Sequence, residues 1–178
     1  SRTLSNIAMI FNTQKKSDSA LLYLNEAVKL AEEMQDKPLM SNAYGNISNV
    51  YNQLGNYQKA IVYQEKTIPI AEEAGSKYAL AITYNDLALN YYELKNYEKA
   101  KECVQKTLSI GNETKSLYLV SGAYNTMSQI SSAQGDFKNA YEFHKKYAEI
   151  KDSLLNEESS KQIAEMYINL FNEIWNRT

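Results

Sequence analysis

A single cysteine, Cys103, excludes an internal disulfide framework. It suits a reducing compartment and a disulfide-free exported domain equally. One histidine, His144, beside that one cysteine cannot assemble a cysteine–histidine zinc cluster. Two prolines and six glycines are too few for a collagen-like or low-complexity chain. No apolar run approaches the roughly 20 residues of a membrane span, so no membrane insertion is expected of this segment. No signal peptide precedes Ser1, but a start inside a helical pattern leads us to expect an excised fragment. An excess of one charge is missing too: 19 Lys and Arg stand against 21 Asp and Glu, for a net charge of −2. Residues 1–80 carry eight of each sign, so no basic half tracks a phosphate backbone and no nucleic-acid partner is expected. There is no glycine-rich phosphate loop and no nucleophile–base pair. The doublets Glu32-Glu33 and Glu72-Glu73 sit near helix ends beside charged joins and read as solvated, so we expect no catalysis, cofactor or metal.

What the chain does have is an internal repeat of 40 residues in register from end to end. Ala20, Ala60, Ala100 and Ala140 form one column. Ile7, Ile47, Leu87 and Met127 form a second, and Leu4, Tyr44, Tyr84 and Tyr124 a third. Phe11, Tyr51 and Tyr91 make another, broken at Ser131, and Leu30, Ile70, Ile110 and Ile150 a further one. One such unit cannot bury its apolar face alone, so units without insertions between them predict a stacked array. In the second unit Tyr44, Ile47, Tyr51 and Leu54 recur at the spacing of an amphipathic helix. Gly55-Asn56 then breaks the pattern. A second helix follows from about Tyr57 to Ala74, with Ala60, Ile61, Ile68 and Ile70 inward, and stops at Gly75-Ser76. Pro69, late in that helix, should kink or end its last turn. Lys95-Asn96 and Gly135-Asp136 supply the same turn in later units, and Lys15-Lys16 in the first, which is the least regular. The alanine column marks where paired helices cross too closely for anything larger. The tyrosine columns, including Tyr57 and Tyr97, are read as packing bodies rather than stacking platforms. His144 and Cys103 fall in packing columns as well, His144 as a half-buried residue.

These residues carry a resemblance. Ile47-Ser48, Tyr51, Gly55, Tyr57 and Ala60, with Leu87-Ala88, Tyr91, Tyr97 and Ala100 one unit on, look like tetratricopeptide repeats. The family's Trp, Leu, small residue, Tyr and first Ala map onto Tyr44, Ile47, Ser48, Tyr51 and Ala60. The closing Pro has no equivalent, and the period is 40 rather than about 34. That resembles the longer class common in bacterial signalling proteins. The resemblance implies an all-α, right-handed superhelix of four helix-turn-helix repeats plus a C-terminal helix. The repeats are expected at about 1–36, 37–76, 77–116 and 117–155, within a region 1–155, and the last helix at 156–178.

In a tetratricopeptide superhelix the first helices line a concave groove. Their polar faces carry Asn42, Asn46, Asn49, Asn52 and Gln53 in the second unit. The third offers Asn85, Asp86 and Tyr92, with Ile82 and Leu89 between them, and the fourth Asn125 and Gln129. Asn is a mediocre helix former, so its density there points to use: a carboxamide both donates and accepts, matching a peptide group. Related repeat proteins hold extended peptides through Asn at such positions, which implies that role for Asn46, Asn85 and Asn125. The expected partner is therefore a protein or extended peptide. Only Arg2 is cationic near the groove, against a grip on acidic chaperone tails.

The tail departs from the repeat. Its apolar side, Ile163, Met166, Tyr167, Leu170, Phe171, Ile174 and Trp175, needs a partner surface. We expect a helix capping the last repeat, or else a signalling helix forming a homodimer through 157–178. The run Lys151 to Glu158, followed by Lys161 to Met166, is similar to the segment joining such arrays to a membrane helix in Bacteroidetes-type histidine kinases and transcriptional regulators. Those sensors usually hold the repeats outside the cytoplasm, which implies a periplasmic location; without that likeness the location would be cytoplasmic.

Overall fold

The computed structural model describes residues 2–175, with side chains at 3–156, 158–162, 165 and 166. Eight α-helices and no strands are present among the described residues. They are α1 (Arg2–Thr13), α2 (Ser17–Glu33), α3 (Lys37–Gln53), α4 (Tyr57–Glu73), α5 (Lys77–Glu93), α6 (Tyr97–Glu113), α7 (Leu117–Ala133) and α8 (Phe137–Trp175).

The backbone has a shorter period than the sequence. Each of α2 to α7 is 17 residues long, so a new helix begins every 20 residues from Ser17 to Phe137. One turn design explains this. In the turn after α3, the Gly55 amide donates to the Asn52 carbonyl at 3.0 Å and the Asn56 amide to the Tyr51 carbonyl at 2.8 Å. This is the Schellman pairing that satisfies helix-end carbonyls, and it requires a left-handed residue at its centre. Gly55, Gly75 and Gly135 supply that residue, but Lys15, Gln35, Lys95 and Lys115 adopt it as well, at φ of 52° to 59°. The next residue then caps the following helix. Asp36, Asn56, Ser76, Asn96 and Ser116 each accept from the backbone amide three residues on, and Asp136 does so from Asn139. Such a cap is worth about 1 kcal/mol. Lys16 has no side-chain cap to offer α2, which is the physical content of the first unit's irregularity.

Packing follows the columns. Ala20, Ala60 and Ala100 are fully buried and Ala140 nearly so, at 8% exposure. Each helix packs on its sequence neighbours; in addition α1 touches α3, and α5 touches α7. Among the described residues no two second helices of successive units make contact of that extent, and neither do α3 and α5. The array therefore curves with the first helices on its inner side. At the step from α6 to α7 a Cβ on Gly111 would lie 3.0 Å from Val120 Cγ2 and 3.2 Å from the Val120 nitrogen, so the alanine of its column mates Ala31 and Ala71 would fit here only if α7 gave by a few tenths of an ångström.

Three expectations change. α4 runs through Pro69 to Glu73, because Pro69 is exposed and solvent can satisfy the carbonyl it leaves free. His144 is exposed: among the described residues no helix lies over it as α3, α5 and α7 lie over its column mates Leu24, Gln64 and Val104. No break occurs at 156: α8 is one helix of 39 residues continuing the fourth unit's second helix. Along its distal half Met166 is exposed. The side chains of Ile163, Tyr167, Leu170, Phe171, Ile174 and Trp175 lie outside the described residues.

Candidate functional site

Three hollows lie along the inner face, and they share walls. The first, of about 410 Å³, is lined by Asn12, Asn46, Asn49, Asn52 and Gln53 with Met9 at its edge. The second, of about 380 Å³, is lined by Asn42, Asn46, Ser48, Asn49, Tyr78 and Asp86. The third, of about 390 Å³, has Asn85, Asp86, Tyr118, Asn125, Tyr147 and Lys151 on its walls. Asn46 and Asn49 belong to the first two hollows, while Ile82 and Asp86 belong to the last two. The hollows thus form one continuous groove. The second and third are the same subsite one repeat apart: Asn42, Asn46, Thr67 and Tyr78 of one correspond to Ile82, Asp86, Thr107 and Tyr118 of the other.

Nine of the twelve residues singled out from the sequence line this groove: Asn42, Asn46, Asn49, Asn52, Gln53, Ile82, Asn85, Asp86 and Asn125. Leu89, Tyr92 and Gln129 do not. Tyr92 turns toward α6, its ring centroid 6.1 Å from that of Tyr97, and packs against the core around Ala88 and Ala100. Sequence reasoning missed Tyr78, Tyr118, Tyr147, Lys151 and the buried Ser48. Tyr78 and Tyr118 stand outside the tyrosine packing columns, two residues after the capping Ser76 and Ser116, and that offset was the available signal.

The polar groups of the groove are unevenly committed. Asn46 Nδ2 donates to Asn42 Oδ1 at 3.2 Å. Asn85 Oδ1 accepts from Thr126 Oγ1 at 3.2 Å, which leaves its NH2 group available. Asn12 Oδ1, Asn52 Oδ1 and the Ser48 hydroxyl are buried without a hydrogen-bond partner, and all three residues line the groove. Buried polar atoms in this condition are costly, and these three are closed off from the open groove. Asp86 is half-buried, and desolvation alone pushes its carboxyl up to about 6. Away from the groove, burial likewise pushes up the Cys103 thiol, which makes it a poor nucleophile at neutral pH. Tyr44, Tyr51 and Tyr63 pack among themselves and line none of the three hollows.

Tetratricopeptide-repeat family models match residues 39–113 and 1–34. The chain is built of tetratricopeptide repeats. No curated protein matches it in sequence, but solved structures share the fold. BtubC (BKLC) from P. vanneervenii aligns with a TM-score of 0.76 at 18% identity, over 85% of this chain and 63% of that one. The apo form of RapI aligns at 0.77 and 19%, over 89% of this chain and 58% of RapI. Aspartyl phosphate phosphatase F from Bacillus subtilis aligns at 0.77 and 18%, over 85% and 40%. The chain therefore spans less than two thirds of each of these relatives. Tetratricopeptide arrays are interaction modules whose curvature creates an extended concave binding surface, and the groove lies on that surface here.

Proposed function

We propose that this tetratricopeptide module is non-catalytic and captures an extended peptide or protein segment in the groove. The continuous amide-lined channel carries this reading, with Asn46, Asn49, Asn85 and Asn125 on its walls. An extended chain presents alternating N–H and C=O groups, which carboxamides can pair with in either sense. Ile82, shared by two of the hollows, adds apolar contact. We further propose that the module is the input part of a bacterial signalling protein, a two-component sensor or regulator. That part rests on the resemblance of residues 151–166.

Selection of random nine-residue peptides displayed on phage tests the groove. Asn46 and Asn125 are the residues to remove, because Asn85 also holds Thr126. In the variant Asn46→Ala with Asn125→Ala, selected peptides should bind at least tenfold more weakly. Helicity and the melting midpoint should stay close to those of the parent. Equal loss of folding and binding would make these residues structural and remove the support for groove capture.

A further inference from the structure

Only two charged residues line the groove among the described residues, Asp86 and Lys151. Lys151 is exposed, with its ammonium 5.5 Å from the Tyr147 ring centroid. No ion pair links it, or any other cation, to Asp86 among the described residues. Asp86 stands on the wall between the second and third hollows. Its column mates Asn6, Asn46 and Thr126 are all neutral. One repeat has placed a carboxylate where the others place none, in the middle of a groove and without an ion-pair partner among the described residues.

We propose that Asp86 anchors the cationic side chain, Arg or Lys, of an extended peptide lying in the groove. This rests on the peptide-capture reading and names the chemistry of the peptide. A carboxylate withdrawn from water needs hydrogen-bond donors and a positive charge, and a guanidinium supplies both in a bidentate fork. The two hollows that meet at Asp86 are each lined by a tyrosine, Tyr78 in one and Tyr118 in the other. Their faces can receive the planar cation by stacking and cation–π attraction. From the elements around α5, the other titratable groups on these walls are Tyr78 on α5 itself, Tyr118 on α7, and Tyr147 and Lys151 on α8; α4 and α6 contribute only Gln64, Thr67 and Thr107. None of them is charged opposite to Asp86 and paired with it.

A cation at Asp86 favours the ionised carboxylate, so binding expels a proton wherever that carboxyl is protonated in the free protein. With an ionisation near 6, only about a tenth of the carboxyl is ionised at pH 5. The affinity should then fall about tenfold between pH 8 and pH 5.

The experiment repeats the selection of phage-displayed random nonapeptides at pH 8 on the chain and on Asp86→Asn. Asn already occupies the equivalent position 46, so the variant has an internal precedent for folding. The expected result is a pool with Lys or Arg at one shared position, absent from the pool selected on Asp86→Asn. A selected peptide should lose at least tenfold in affinity when its Arg is replaced by neutral citrulline, and should show the pH dependence on the parent but not on Asp86→Asn. Peptides that need Asn46 and Asn125 but show no basic preference would overturn the anchor and leave groove capture standing. A selection that enriches no peptide would overturn both. If Asp86→Asn fails to fold, the citrulline comparison and the pH profile on the parent decide the matter.

Discussion

The buried pair Gln64–Asn90 offers a test for which the chain carries its own controls. Asn90 and Gln64 are 2% and 4% exposed, and Asn90 Nδ2 donates to Gln64 Oε1 at 2.8 Å. The equivalent positions are Leu24 with Val50 one unit back and Val104 with Ile130 one unit on, all of them buried at 0% or 1% exposure. The same junction is thus apolar twice and polar once. Asn90→Val alone leaves the Gln64 amide without its partner, and Gln64→Leu alone strands Asn90. Each should cost about 1–3 kcal/mol. Gln64→Leu with Asn90→Val recreates the Leu24–Val50 junction at nearly constant volume, and should lie within ~1 kcal/mol of the parent or be more stable. Urea unfolding of the parent, both single variants and the double variant completes the cycle. With the double variant near the parent, the expected coupling is the sum of the two single losses, about 2–6 kcal/mol in favour of the double change. Additive losses would refute the reasoning, since they would mean that the two side chains act independently of the hydrogen bond.

Lys95 at φ 58° should be better as glycine, the residue at positions 55 and 135 of the same turn. Lys95→Gly is expected to stabilise by ~0.5–1 kcal/mol in urea unfolding, and Lys95→Val to destabilise. Asp86 makes stability depend on pH, because its carboxyl rises from 3.8 to about 6 on folding. An acid with a raised folded-state pKa favours the folded state when protonated, so its penalty is absent below pH 3.8, grows between 3.8 and 6, and is complete above. The full penalty is at most ~3 kcal/mol, so Asp86→Asn should raise the melting midpoint at pH 7.5 and lose that advantage at pH 4.

The fold was legible because the apolar columns and the turn residues obey one period, and the alanine column proved to be buried. The 20-residue half-period was hidden because first and second helices share turn geometry but not packing residues. Lys15, Gln35, Lys95 and Lys115 also disguise turns that glycine would have announced. Most of the groove was visible as carboxamides opposite the packing stripe. Its aromatic lining was not, since Tyr78 and Tyr118 come from the first turns of α5 and α7, ahead of the stripe. Tyr92 was misplaced because period alone does not say toward which neighbour a side chain leans at a helix end. The exposure of His144 depends on what covers α8, which the column could not report.

The repeat also lets the chain serve as its own alignment. Scaffold positions change in concert. Lys66, Lys106 and Lys146 lie over Tyr44, Tyr84 and Tyr124, with the ammonium 4.6 to 5.2 Å from the ring centroid; in the first unit the two positions hold Glu26 and Leu4, so both members of the pair have changed. Lys59 and Lys99 lie over Tyr51 and Tyr91, whereas the fourth unit has Asn139 and Ser131. The Leu24–Val50, Gln64–Asn90 and Val104–Ile130 junctions obey the same rule. The groove column runs Asn46, Asp86, Thr126, and its neighbour Gly45, Asn85, Asn125. Among the described residues only Thr126 with Asn85 shows a hydrogen bond between these two columns; the step from Asn46 to Asp86 brings no ion-pair partner for the carboxylate, and Lys151 on the wall of the same hollow is not paired with it. A half-buried charge that weakens the free protein is accounted for by what that charge does once the groove is filled. The selection on Asp86→Asn examines that link directly.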